Sequence, residues 1–182
     1  MAKLILYILA LMVLVSPAFA ANAELFVSDV SGSAGSSVEI PINLKSSAGI
    51  GSIDTVVSYD ASVLQLDSVE KGSLTGNSMI DYNANTQGKV SIAMADSQGM
   101  KGEGSVAVLK FKVLGKEGDK SAINIESASA NDATTLIDVR LDTKAGSFNV
   151  TSGGFGLVGI VAVVAILIVI VLVIKRRGSK PK

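Results

Sequence analysis

The sequence contains no cysteine, no histidine and no tryptophan, and it has only three prolines. Without cysteine no disulfide can stabilise the fold, so a hydrophobic core has to suffice. Without cysteine and histidine, Ser-His-Asp triads, Cys-His pairs and histidine-ligated zinc sites are all excluded. The lack of tryptophan also disfavours a sugar-binding cleft, because such clefts are usually lined by exposed aromatic rings.

The remaining routes to catalysis have little support. Paired carboxylates could hydrolyse glycosides, but the acidic residues are scattered over predicted strands and turns. Residues 115–121 are glycine-bearing but lack the Gly-Lys-Ser/Thr ending of a phosphate-binding loop. No twelve-residue calcium loop with alternating acidic ligands is present either. The sequence therefore predicts a protein that is not an enzyme and that holds no metal or cofactor of its own.

A long apolar run occupies residues 155–174, near the C-terminus. Fifteen of these twenty residues are Val, Ile or Leu, and none is charged. As a helix they would measure about 30 Å, the thickness of a bilayer's hydrocarbon core. A buried core helix is the alternative, but such helices are usually shorter and keep a polar face. The run therefore predicts a transmembrane helix, followed by a basic tail at residues 175–182.

The other apolar segment lies at the N-terminus and has the features of a secretory signal peptide. Lys3 precedes about a dozen apolar residues, and Ala18 and Ala20 supply the small residues that precede a cleavage site. Cleavage after Ala20 or after Ala23 fits, so the signal peptide is placed at residues 1–23. An uncleaved N-terminal anchor is the alternative, and both readings export the middle of the chain.

The distribution of charge favours one orientation in the membrane. All sixteen acidic residues and ten of the basic ones lie within residues 24–150, which gives this part a net charge of −6. The tail carries five basic residues and no acidic one. Because Lys and Arg concentrate on the cytoplasmic side, we expect a single-pass protein of the cell membrane with its tail inside. The acidic exterior argues against nucleic acid as a partner.

Residues 24–150 form one predicted domain, joined to the apolar run by a linker at residues 151–154. Val38, Ile40, Ile42 and Leu44 alternate with polar residues, as in a half-buried strand. Similar patterns predict about nine strands and hence an all-β, two-sheet sandwich. The predicted strands are residues 25–29, 38–45, 52–59, 63–69, 79–83, 90–95, 106–113, 122–127 and 146–150.

Local irregularities are predicted in four places. Pro41 interrupts a strand and indicates an edge position or a bulge. The inward parity changes between Val108 and Leu109, which also indicates a β-bulge. The clusters at residues 31–36 and 49–51 are rich in glycine and serine and predict turns.

Several stretches resemble cohesin domains. Residues 30–42 combine a G-x-x-G turn with a strand that contains an internal proline, as at the start of that family. Residues 49–54 and 58–64 resemble the family's most typical stretch, a strand closed by Tyr-Asp-Pro and Val-Leu, although Ala61 replaces the proline here. Residues 88–96, 108–113 and 128–133 follow in the family's order. The resemblance covers essentially all of residues 24–150.

This resemblance implies a nine-stranded jelly-roll sandwich that binds dockerins, the small calcium-binding modules carried by cellulosomal enzymes. The chain would be a non-catalytic receptor that holds dockerin-bearing proteins, including polysaccharide-degrading enzymes, at the cell surface. Calcium is then expected on the dockerin and not on this chain. Within the family the dockerin rests on one sheet face, formed largely by the third, fifth and sixth strands and a neighbouring one.

The resemblance also implies the residues of the dockerin-binding face. Asp54 matches the family's acidic residue in the strand before Tyr-Asp-Pro, and Ser52 stands at the polar position two residues earlier. Tyr82 and Asp96 are the nearest matches to a tyrosine before the sixth strand and an acidic residue after it. Val56 joins this set because it shares the outward parity of Ser52 and Asp54. The alternatives are a solvated Asp54, a core Tyr82 and a turn-capping Asp96.

Asn149, in Asn149-Val150-Thr151, is the one candidate glycosylation acceptor in the predicted domain. Its alternative is an unmodified residue of the last strand.

Two other functions remain open for the domain. It could be a surface domain similar to carbohydrate-binding modules, although its few aromatic residues disfavour direct polysaccharide binding. It could also be a structural or adhesive component of the cell envelope, although a lone domain on a four-residue linker makes a poor spacer.

Overall fold

The computed structural model describes residues 23–152, which form a β-sandwich of nine strands. The strands are β1 (Ala23–Val27), β2 (Val30–Ser33), β3 (Ser37–Ser58), β4 (Leu64–Lys71), β5 (Met79–Asn83), β6 (Lys89–Val113), β7 (Lys120–Asp132), β8 (Leu141–Lys144) and β9 (Gly146–Thr151). Among these residues no helix is long and apolar enough to cross a bilayer. The predicted membrane span and all but the last residue of the predicted signal peptide lie outside the described range.

Two long strands, β3 and β6, run antiparallel to each other and contribute to both sheets. The first half of β3 and the second half of β6 lie in a sheet with the order β4-β6-β3-β1-β8. Their other halves lie in a sheet with the order β5-β6-β3-β7. The start of β7 then pairs with β9, and β9 pairs in parallel with β2.

The core lies between the two sheets and consists mainly of apolar side chains, with a few buried serine and threonine residues. Alternate residues of β3 are buried from Ile40 to Ser46, and after a change of parity at the bend they are buried again from Ile53 to Val57. Tyr59 packs edge-on against Phe111, with ring centroids 4.8 Å apart. Each fully buried large side chain contributes about 1.5–3 kcal/mol, so a core of this extent stabilises the fold without disulfides. The largest buried side chains are Phe111, Phe148, Leu25, Ile40, Ile42, Leu44, Ile50, Ile53, Leu64, Ile92, Met100 and Leu109.

The turn predicted at residues 49–51 is wrong, because β3 bends there without ending. The pairing of β3 with β6 shifts register on both sides of Ile50, and both strands pass together from one sheet to the other. Glycines allow this close passage. A Cβ on Gly51 would lie 2.7 Å from the Cα of Ala133, and Gly99 has a φ of +82° and would meet Gly49.

The predicted bulge exists, but it lies earlier in β6 than expected. The partner of Ile42 is Ala107 and the partner of Asn43 is Ser105, so Val106 is the extra residue. Val106 and Ala107 are both buried, which explains the change of parity. Pro41 lies beside this bulge, at a position of β3 that no longer pairs with β1. This suits proline, because proline has no backbone N–H to donate.

The number of strands agrees with the prediction, but their division differs. Each of the long strands β3 and β6 joins two strands that were predicted as separate, while β2 and β8 were not predicted. Strand β2 overlaps the turn expected at residues 31–36. Both are four-residue strands that pair in parallel with β9 and β1, respectively. Segments this short have too few alternating side chains to be distinguished from turns by pattern.

The outer surface of the first sheet carries mainly ion pairs. We call it the charged face and define it by Glu39, Lys45, Glu70, Glu103 and Lys110. Lys110 Nζ lies 2.8 Å from Glu70 and 3.4 Å from Glu39, and Lys45 Nζ lies 3.3 Å from Glu103. The hydrogen bond to Glu70 is the main reason that the pKa of Lys110 is raised. Such exposed pairs contribute little stability but keep this surface hydrated.

Candidate partner-binding face

The outer surface of the second sheet differs from the charged face in composition. Strands β5, β6, β3 and β7 lie side by side, and three outward positions on each strand fall into three rows across the sheet. We call this surface the four-strand face. Its rows are Asn83, Ser91, Val56 and Ser127; Asp81, Ala93, Asp54 and Ser129; and Met79, Ala95, Ser52 and Asn131.

Small side chains cover two of these four strands. β6 presents Ser91, Ala93 and Ala95, and β7 presents Ser127 and Ser129. The result is an open depression of about 860 Å³ across the middle of the face. Because these five side chains end in a methyl or hydroxyl group, another protein can approach this part of the sheet closely.

Two carboxylates stand in the central row, separated by Ala93. Strands are spaced about 4.8 Å apart, so Asp81 and Asp54 lie about 10 Å from each other. Asp81 Oδ1 accepts a hydrogen bond of 2.8 Å from the backbone N–H of Tyr82. Asp54 is exposed, and within residues 23–152 no hydrogen bond or ion pair engages its carboxylate. It can therefore accept hydrogen bonds from a partner without breaking existing ones.

The outward parity predicted for Ser52, Asp54 and Val56 is confirmed, because Ile53, Thr55 and Val57 between them are buried. Ser52 Oγ donates a hydrogen bond of 3.1 Å to Asn131 Oδ1. The amide of Asn131 in turn donates to Asp138 at 2.9 Å. Val56 is half-buried between Ser91 and Ser127 and gives its row an apolar centre.

Tyr82 has a different position from the other predicted residues. It pairs with Ile92, whose side chain is buried, so alternation directs Tyr82 to the opposite side of β5 from Asp81. Since β5 is an edge strand, the ring nevertheless remains 41% exposed. Tyr82 thus lies at the border of the four-strand face, where it lines the depression.

Asp96 lies just beyond the last outward residue of this part of β6, Ala95. Its Oδ2 accepts a 2.5 Å hydrogen bond from Ser78, and its Oδ1 accepts from the N–H groups of Gln98 and Gly99. The Ser78 hydroxyl, followed by the Gln98 N–H, lowers the pKa of the carboxyl group. These contacts correspond to the turn-capping alternative, in which Asp96 orders the bend that leads towards Met100.

Exposed apolar residues that could not be recognised from the sequence lie at and beyond the two ends of the row that runs from Met79 to Asn131. Met79 is 80% exposed at the outer edge of β5. Beyond β7, Leu136 and Ile137 are 76% and 67% exposed. The one available signal was two consecutive apolar residues in a polar stretch between predicted strands.

The segment that carries Leu136 and Ile137 is well ordered by hydrogen bonds. Asp132 Oδ1 accepts from the N–H groups of Thr134 and Thr135, and the Asp132 backbone bonds to both Leu136 and Ile137. Leu136 has a φ of +59°, a conformation that is unfavourable for a leucine. Exposed apolar groups on a rigid and strained segment are typical of protein-binding sites.

Asn149 lies in β9 between two paired strands, opposite Ser31 of β2 and Lys120 of β7. Its neighbours Phe148 and Val150 are buried, whereas Asn149 is half-exposed on the other side of the strand. The side chain is therefore accessible in part, within a regular strand.

The comparison with protein families decides the identity of the domain. Residues 23–150 match the model of the cohesin domain. The chain belongs to the cohesin family. Over 72% of its length it superposes on a non-cellulosomal cohesin from the archaeon Archaeoglobus fulgidus, covering 93% of that chain, with 28% identity and a TM-score of 0.66. The sixth cohesin of scaffoldin B from Acetivibrio cellulolyticus, solved with a Cel5 dockerin, has 28% identity and a TM-score of 0.64, with 71% and 99% of the two chains covered.

A curated relative is cellulose-binding protein A of Clostridium cellulovorans, which is 24% identical over 116 residues. The match includes 62% of this chain but only 6% of that much longer protein. The cohesin family is a non-catalytic protein-interaction module. Within residues 23–152, no group of three acidic, histidine or cysteine side chains is arranged to hold a metal ion.

Proposed function

We propose that this cohesin is a membrane-anchored receptor that binds a dockerin-bearing protein on its four-strand face and holds it at the cell surface. The observation that carries the proposal is the contrast between this face and the charged face. One of the two outer sheet surfaces is covered by ion pairs. The other is open, most of its side chains are small, and none of its twelve outward positions carries a basic residue.

The geometry of the four-strand face suits a helical partner. Ala93, Ala95 and Ser129 leave room for a helix to lie directly on the sheet. Asp54 and Asp81 can accept hydrogen bonds from hydroxyl or ammonium groups of that helix. Related cohesins have been solved in complex with dockerins, which supports this class of partner.

The apolar residues near one end of the face would add affinity. Met79, Leu136 and Ile137 project into solvent at the borders of the outermost row. Large exposed side chains that become buried in a complex often dominate its binding energy, whereas surrounding polar contacts mainly exclude water. We expect these three side chains to be covered by the partner.

Anchorage follows from the sequence outside the described residues. The apolar run at residues 155–174 is long enough to span a bilayer, and the basic tail favours a cytoplasmic C-terminus. The signal peptide would export the cohesin, and the linker would keep it close to the membrane. Asn149 would be a glycosylation site on the exported side.

Affinity capture on the purified cohesin, with and without a calcium chelator, tests the proposed function. Dockerins need calcium to fold, so the captured protein should contain a dockerin sequence and be released on chelation. The structure of the cohesin itself should not change, which circular dichroism would verify. Capture of a protein without a dockerin, unaffected by chelation, would contradict the proposal.

The substitution Asp54→Ala tests the location of the site. We expect the affinity for the captured dockerin to fall by about 1–3 kcal/mol, because the partner's donors lose a charged acceptor. Isothermal titration calorimetry would measure this loss. The control is Asp67→Ala, which removes an exposed carboxylate from β4 in the other sheet. Equal affinities for both variants and the parent would remove Asp54 from the site.

A further inference from the structure

An uncharged patch lies at the end of the cohesin from which the chain leaves the described domain. We call it the exit-end patch and define it by Tyr59, Ala61, Leu64, Leu66 and Leu114. These residues line a depression of about 400 Å³ together with Ala84 and three amide side chains. Leu114 is 48% exposed at its rim. No charged residue of the described chain lines this depression.

The last strand fixes the position of the patch relative to the chain exit. Val150 exchanges backbone hydrogen bonds with Gly118 and Asp119, at 3.0 and 2.9 Å. The turn that contains Gly118 begins directly after Leu114, whose N–H donates to Val63. A Cβ on Gly115 would lie within 3.1 Å of both Val63 and Val150. The exit-end patch and the end of β9 therefore belong to the same end of the sandwich.

The sequence places the apolar run very close to this end. Only Gly153 and Gly154 separate Ser152 from Phe155. Three residues of extended chain span at most about 11 Å, less than the width of the sandwich itself. If residues 155–174 enter a bilayer, the domain cannot move away from the lipid surface by more than about this distance.

The charges around the exit end are balanced, so electrostatic attraction to lipids is small. Lys112, Lys116 and Lys120 are offset by Asp60, Glu117 and Asp119. Two of these carboxylates are also engaged by their own chain, Asp60 by the N–H of Ser62 and Asp119 by the N–H of Lys116. A surface that is apolar at its centre and close to neutral fits the boundary between headgroups and acyl chains.

We infer that the exit-end patch is a lipid-contact surface, through which the cohesin rests on the bilayer that holds its anchor. Leu114 enters the boundary between headgroups and acyl chains. The contact fixes the orientation of the domain, with Leu136 and Ile137 at the end that points away from the membrane. The inference rests on the proposed anchorage, but it does not depend on the identity of the partner.

The absence of tryptophan from the chain provides a direct test. Full-length Leu114→Trp and Ile137→Trp variants would be reconstituted in phosphatidylcholine vesicles with ordinary or brominated acyl chains. Strand β7 separates the two ends by about 40 Å of extended chain, so the second variant is a matched control. We expect brominated lipid to quench the emission of Leu114→Trp strongly and to leave Ile137→Trp unchanged.

Three further measurements complete the test. Added phosphatidylglycerol or salt should leave the quenching unchanged, because the contact is apolar. Gln65→Trp, at another exposed position lining the depression, should reproduce the result if Leu114→Trp fails to fold. Flotation of the vesicles separates the two proposals. A chain that does not float overturns the anchorage and the lipid contact together, whereas a floating chain without quenching at position 114 or 65 overturns the lipid contact alone.

Discussion

The four-strand face and the charged face are built from the same two strands, yet their surfaces are opposite in character. In its first half β3 presents Glu39 and Lys45, and in its second half it presents Ser52 and Asp54. Both halves pair antiparallel with β6, and the only shift within either half is the bulge at Val106. The difference therefore lies in the side chains that each half exposes.

The same contrast is the reason that we propose binding on the four-strand face and not on the charged face. On the charged face a partner would have to displace the Glu39–Lys110–Glu70 ion pairs and dehydrate long side chains. On the four-strand face most outward side chains are short and carry no charge. A partner would therefore have fewer long charged side chains to dehydrate on this face.

The substitution Ala93→Arg should have the largest effect on dockerin affinity. Ala93 lies between the two aspartates at the centre of the four-strand face, where a long side chain would keep a partner from the sheet. We expect an affinity loss of about 2–4 kcal/mol, as for a hot-spot position. Calorimetric titration with the captured dockerin measures it. Gln65→Arg on β4 is the control, and a similar loss in both variants would argue against a face-specific site.

Gly51→Ala tests the bend that separates the two halves of β3. The added Cβ would lie 2.7 Å from the backbone of Ala133, so the strands must move apart at the crossover. We expect the free energy of unfolding to fall by about 1–3 kcal/mol. Urea denaturation would measure this, with Gly76→Ala as a control because no atom lies within 4 Å of that Cβ. An unchanged midpoint for Gly51→Ala would show that the crossover is not tightly packed.

Lys110→Met should have a smaller effect, confined to the charged face. It removes the contacts with Glu39 and Glu70, and exposed ion pairs of this kind contribute little to stability, so we expect at most a slight fall in the unfolding temperature. Dockerin affinity should not change. Thermal unfolding and titration of the same variant measure the two effects, and a marked loss of affinity would show that the charged face also binds.

The smallest expected effect concerns acid stability near the four-strand face. Hydrogen bonds from Ser78 and from two backbone N–H groups lower the pKa of Asp96 in the folded state. Its stabilising contribution is therefore complete above the ordinary aspartate pKa of about 4 and is lost as the pH falls through the lower, folded value. Between pH 7 and pH 3, Asp96→Asn should lose less stability than the parent in urea denaturation. Equal losses would mean that Asp96 does not contribute.

Much of the fold could be predicted from the alternation of side chains. Burial of Ile40, Ile42, Ile53 and Val57 follows directly from a period of two, and so does the exposure of Asp54. The bend at residues 49–51 could not be predicted as a continuous strand. Glycine is equally suited to a turn and to close packing, and only the neighbouring Ala133 decides between them.

The candidate site was predictable along each strand but not across the strands. Parity alone placed Ser52, Asp54 and Val56 on one surface. The row that brings Asp81 and Asp54 to either side of Ala93 depends on the register between three strands, which a single sequence does not specify. The exposure of Tyr82 could not be predicted for the same reason, because it results from the edge position of β5.

Hydroxyl-radical footprinting of the cohesin with its calcium-loaded dockerin tests the central claim most directly. Mass spectrometry would compare the oxidation of side chains on the two sheets before and after complex formation. We expect protection of Met79, Leu136 and Ile137, and unchanged oxidation of Phe26 on the outer side of β1. Protection of Phe26 with continued oxidation of Met79, Leu136 and Ile137 would place the partner on the charged face and contradict the account.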